Sequence, residues 1–219
     1  MLACTPLLLA AAHARADEPV SSAPERPRVA EPSPPLATVP APDEDEPFTV
    51  YGAVVGARFV GAGGSACPDR PGATCILGAG GGVAAHISRR WPTGLAVLGG
   101  LELYSHNTGD LFEPGVLVAA FADVRAEIAT AGRVRPFGRA GLVLGMLGDG
   151  IEPQTGGAGL EIALGTEVEL TQLLSISAGA TTRAMWFLPF ETPDGLQRSE
   201  AAVPTLMFGL EVGLMLFPD

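Results

Sequence analysis

The chain has 219 residues, 47% hydrophobic and only 17% charged, with a formal net charge of -11. It contains no lysine, so all 13 cations are arginines, set against 24 acids. That balance excludes a basic nucleic-acid surface, and the charge is too sparse to clothe a water-soluble domain this apolar, whose surface carries mixed charges at roughly a quarter of positions or more.

Residues 1–16 are expected to be a secretory signal peptide, an apolar run followed by Ala14-Arg15-Ala16 before Asp17. A lipid anchor through Cys4 is disfavoured because almost no apolar segment precedes it. Residues 17–47 contain nine prolines and eight acids. Such a segment buries too little apolar surface to fold and reads as a disordered, extended linker. Cys67 and Cys75, in "ACPDRPGATC", close a short Pro/Gly loop. In an exported protein that predicts a disulfide, with two unpaired thiols as the alternative.

From Phe48 onward, segments of about ten residues alternate in polarity and are separated by turn chemistry. Eight are predicted: 48–60, 76–89, 94–105, 116–130, 134–146, 158–170, 173–187 and 204–217. The second, fourth and sixth connections are short, "RWPTG", "TAGR" and "LTQL". The others, Gly61 to Cys75, His106 to Gly115, Leu147 to Gly157 and Leu188 to Val203, are long. An even number of strands with alternating loop length predicts an all-β, antiparallel up-and-down barrel over 48–219, crossing a membrane with both ends on the short-turn side. Pro136 fits a closed barrel only where a strand begins, since it donates no ladder bond.

"VLVAAFADVRAEIA", residues 116–129, decides what each face meets. A strand puts Asp123, Arg125 and Glu127 on one face, with Val118, Ala120, Ala122, Val124, Ala126 and Ile128 on the other. The same alternation puts Arg58, His86, Glu102, Arg139, Glu161, Glu167, Glu169, Arg183 and Glu211 on polar faces otherwise rich in glycine and alanine. Small residues mixed with paired charges suit the tight lumen of an eight-stranded barrel, and the apolar faces then meet lipid. Isolated buried charges are costly, so the four arginines among these residues are expected to pair with the carboxylates as a network. Tyr51, Trp91 and Phe217 at one end, with Phe59, Phe112, Trp186, Phe187 and Phe208 at the other, read as two interfacial girdles.

In strand number, loop alternation and final strand, residues 48–219 resemble the small eight-stranded outer-membrane barrels of the OmpA and OmpX class. The resemblance implies an outer-membrane location, the linker in the periplasm, and lipid and the barrel-assembly machinery as partners. The class is sorted by a terminal aromatic residue; here Phe217 is followed by Pro218 and Asp219 and shares a face with Glu211. Barrels that look like this serve as anchors, adhesins, small pores and enzymes, so the fold alone assigns no role.

No hydrolase, zinc or nucleotide motif is present, and no cofactor or metal is expected. "GAGGGVAAH" has a strand context rather than the strand-to-helix context of a nucleotide loop. Ser105, His106 and Asp110, in "LYSHNTGD", have the residue types of a hydrolase triad, but neighbours on a strand point to opposite faces. The reading is a non-enzymatic structural or interaction protein with a charge-filled lumen. The alternatives are a narrow channel for small solutes, or a soluble secreted barrel holding an apolar ligand, with Ile162, Leu164 and Leu210 pointing inward.

Overall fold

The structure, a computed structural model, describes residues 46–67, 74–109, 111–112, 115–128, 132–150 and 152–218. The expected signal peptide, Cys4, all of the linker before Glu46, and Asp110 lie outside the described residues.

The strands are β1 (Phe48–Ala62), β2 (Gly80–Arg90), β3 (Leu95–His106), β4 (Gly115–Glu127), β5 (Val134–Asp149), β6 (Glu152–Glu169), β7 (Leu174–Phe187), the short β8 (Phe190–Glu191) and β9 (Gln197–Arg198), and β10 (Thr205–Leu216). Eight of them close an antiparallel barrel in the order β1-β10-β7-β6-β5-β4-β3-β2. β8 and β9 pair separately as a small hairpin in the last long connection. Closure leaves the barrel no free edge, so each strand's backbone groups are satisfied by both neighbours.

Burial alternates residue by residue, as the two-residue strand period requires. The large apolar side chains face out: Ile162, Leu164 and Leu210 are 61%, 74% and 64% exposed. A barrel with an apolar, ligand-holding interior would have the opposite facing.

Several boundaries differ from those expected. β2 begins at Gly80, not 76, because Ile76 and Leu77 are fully buried in the loop cluster over one barrel mouth. It also runs on to Arg90, a residue that the sequence places in the turn "RWPTG". The connection expected as a long loop from Leu147 to Gly157 is instead a ladder: β5 and β6 stay paired out to Asp149 and Glu152, with Gly150 at φ 56 turning the hairpin. Glycine and proline there mark extended strands rather than a loop.

Pro136 is the third residue of β5, not its first. Its carbonyl accepts from Ile128 N–H, 2.9 Å away, just past the end of β4. A residue's N–H and C=O point to the same neighbour, so the missing donor faces the last rung of that pairing, where little is lost.

Candidate functional site

The inward faces bring the charged residues together in two tiers. The central tier joins β1, β3, β6 and β7. Arg58 donates Nη1 to Glu102 Oε1 at 2.9 Å and Nη2 to Oε2 at 2.7 Å, a bidentate fork. Arg183, 2% exposed, bridges Glu102 and Glu161, its Nε lying 2.9 Å from Glu161 Oε2. Arg139 of β5 donates to Glu161 Oε1 at 2.9 Å and Glu211 Oε2 at 3.0 Å, with Asp123 Oδ2 3.7 Å from its Nε. The Arg58 guanidinium also lies 3.8 Å from the centre of the Tyr104 ring, a cation–π contact.

The second tier lies near the short turns. Glu167, with no exposed surface, accepts from Arg90 at 3.0 and 2.7 Å, from Arg125 at 2.6 Å and from the Ser175 hydroxyl at 2.8 Å. Glu127 stands 3.0 Å from both of these arginines. Arg125 lies over the Phe137 ring at 3.8 Å.

His86 lies edge-on to Phe121 and lines a small interior cavity with Arg58, Glu102, Arg139, Glu161 and Glu211. Its volume is about 10 Å³, room for about one water. At the long-connection mouth an apolar cluster covers the central tier. Ala66, Ile76, Leu77, Phe112 and Phe190 from the connections pack with Leu117, Leu147, Met185, Phe187 and Met207 from the strands.

This cap is tied down by polar contacts. Arg198, fully buried, donates to Thr74 O at 2.7 Å, Ala66 O at 3.3 Å, Thr192 Oγ1 at 2.9 Å and Asp194 Oδ2 at 2.8 Å. It thereby joins the last connection to the first, at Ala66 just before the Cys67–Cys75 disulfide and at Thr74 just inside it. Asp194 Oδ1 accepts from the Thr192 hydroxyl and the Leu196 N–H. Those bonds, the Thr192 bond foremost, hold its carboxyl below the usual aspartate range.

Of the residues singled out by sequence, Glu169 stands apart. It pairs with Arg135 at the short-turn rim, where both side chains are about a third exposed. In the interior, Arg90, Ser175 and the rings of Tyr104, Phe121 and Phe137 are not singled out by sequence. Phe112 and Phe187 are buried in the cap rather than forming a girdle. Phe217 faces inward as alternation requires, 5.3 Å from the Arg90 guanidinium and packed on Phe48. Tyr51, Phe59, Trp91, Trp186 and Phe208 do face outward at the two ends.

Ser105 is on the outer face and His106 on the inner, its Nδ1 3.0 Å from Gly78 O, so the two do not meet. Among the described residues, no three His, Cys, Asp or Glu side chains converge as metal ligands.

The comparisons agree with this geometry. Neisserial surface protein A superposes with a TM-score of 0.52 at 14% identity, covering 78% of this chain and 97% of that one. The outer-membrane protein OprG from Pseudomonas aeruginosa gives 0.52 at 9% identity, covering 80% and 98%. The chain has the fold of the small eight-stranded outer-membrane barrels. No family model matches it, and no curated protein matches it in sequence. Identity this low makes the likeness one of fold.

Proposed function

We propose that this barrel is an outer-membrane anchor with a sealed lumen, a structural or interaction protein and not an enzyme. Lipid surrounds it, the long connections are displayed on the outer face, and the acidic linker 17–47 lies in the periplasm. The barrel-assembly machinery inserts it through its final strand. The carrying observation is the interior. Two ion-paired tiers and an apolar cap fill it, leaving a cavity of about 10 Å³ where a conduit would need continuous space. The outward belt of Leu101, Leu144, Leu164 and Leu210, each more than 60% exposed, supports the membrane reading, because apolar surface this extensive is rarely left in water.

The test is to refold the full chain into bilayers, verify insertion by heat-modifiable migration on gels, and record current from single barrels. The expected result is insertion without conductance steps. Reproducible ion-selective steps would transfer the assignment to the narrow-channel reading.

A further inference from the structure

Arg89 occupies an unusual place for a charge. It lies on the outward face of β2, in line with Val83, Ala85 and Ile87, and is exposed. Its cross-strand neighbours are Thr49 and Val97. Its one hydrogen-bond partner among the described residues is the Thr49 hydroxyl, 3.1 Å away, which is neutral. Trp91, two residues on and 39% exposed, and Tyr51 on β1 are the outward aromatic residues at this end of the barrel. Aromatic residues of this kind mark the headgroup level of a membrane. A guanidinium held there, with no carboxylate against it among the described residues, has room for a counter-ion.

Among the described residues the two ends differ in where their exposed arginines lie. Among the described residues of the short-turn end, the exposed Arg133 joins Arg89, Arg135 answers Glu169, and the exposed Glu46 precedes β1. At the other end the exposed acids among the described residues are Asp149, Glu152, Glu191, Asp194 and Glu200, and the arginine described there, Arg198, is buried. Beside Trp91 a recess of about 280 Å³ opens at the short-turn mouth of the lumen, lined by Phe48, Leu95 and Ile128 together with the charged Arg90, Glu127 and Arg135. On the outer face Arg89 adjoins Ile87 on its own strand and Val97 across the ladder, so cation and apolar wall lie side by side.

We propose that the short-turn rim binds an anionic phospholipid, the guanidinium of Arg89 pairing with its phosphodiester while its acyl chains lie along Tyr51, Ile87 and Val97. A fork of N–H donors suits a phosphate better than a point charge does. This inference rests on the membrane reading above.

The chain's two tryptophans make the test direct. W186F leaves Trp91 as the sole reporter beside Arg89, and W91F leaves Trp186 at the opposite rim. Each is refolded into phosphatidylcholine vesicles in which a minor fraction is brominated phosphatidylglycerol or brominated phosphatidylcholine, and quenching is compared. Trp91 should show about a five-fold preference for the anionic lipid, the ratio one interfacial arginine confers. The preference should disappear in W186F/R89Q, and Trp186 should show none. Equal quenching of Trp91 by both lipids, the result if acids of this chain near Glu46 neutralise Arg89, overturns the proposal, as does a preference that survives R89Q. Absence of quenching by either lipid, with no heat-modifiable species, overturns the membrane reading itself.

Discussion

Arg90 Nη2 stands 2.7 Å from Glu167 Oε2, and these residues come from β2 and β6, four strands apart in either direction round the barrel. The pair therefore spans the full diameter of the lumen. Arg183 and Glu102 do the same between β7 and β3. Cross-lumen pairs of this kind let a narrow barrel bury charge without leaving any one unanswered, provided the whole network assembles together.

Removing one partner should therefore cost far more inside than at the rim. Glu167→Gln leaves Arg90 and Arg125 short of a buried counter-charge and is expected to lower stability by about 3–5 kcal/mol. Glu169→Gln breaks a half-exposed pair and should cost about 0–1 kcal/mol. Urea unfolding of the barrel refolded in lipid, followed by gel migration, measures both. Similar losses in the two variants would mean that Glu167 is not the shared acceptor described here.

The glycines of the inner face belong to the same packing. At Gly141 a Cβ would fall 1.9 Å from Asp123 Oδ1 and 2.3 Å from Ala122 O, the latter a backbone atom with little room to move. Gly141→Ala is expected to destabilise the barrel by about 1–3 kcal/mol through overpacking. The same urea titration reports it, and an unchanged midpoint would show that the lumen has slack at this level.

The outer clasp should respond to acid. Because the Asp194 carboxyl titrates below its ordinary value near 3.8, its hold on the last connection is fully present above that pH. The hold is lost as pH falls through the lowered value, since protonation removes the partner of Arg198 and weakens acceptance from Leu196 N–H. Amide exchange at Leu196 and Gly195, corrected for its intrinsic pH dependence, should accelerate below about pH 4. Asp194→Ala, which removes the acceptor altogether, should exchange rapidly at every pH. Protection that persists in the Ala variant would remove Asp194 from the clasp.

Much of the barrel wall was legible in the sequence because strands alternate strictly. Charges at Asp123, Arg125 and Glu127 fix the inward face of β4, and a single slip would reverse every residue on it. The interior was less legible where a strand end resembled a turn. Arg90 sits next to "WPTG" and reads as loop, yet its position two residues beyond Ser88 keeps it on the inward face. Glu169 reads as inward by the same alternation, but it lies at the last residue of β6, where the lumen opens to solvent.

The long connections were the least legible part. Ile76, Leu77, Phe112 and Phe190 look like strand residues or scattered loop apolars until the fold brings them over one mouth. Arg198, an ordinary charge in a polar stretch, became the buried centre of that cap only through contacts to Ala66 and Thr74, distant in sequence. No local period encodes such long-range contacts.

The facing of the wall is the central claim, and Ala96 and Val97 on β3 test it most directly. They are adjacent, one buried and one half exposed, and both are small enough to replace with little strain. Ala96→Cys and Val97→Cys, each in a chain whose three native cysteines are serine, would be refolded into bilayers and exposed to a membrane-restricted, lipid-soluble thiol reagent. With Val97 facing lipid and Ala96 facing the lumen, Val97→Cys is expected to react and Ala96→Cys is not. Reaction at 96 with protection at 97, or a protein that stays soluble without lipid and reacts at neither, would contradict it.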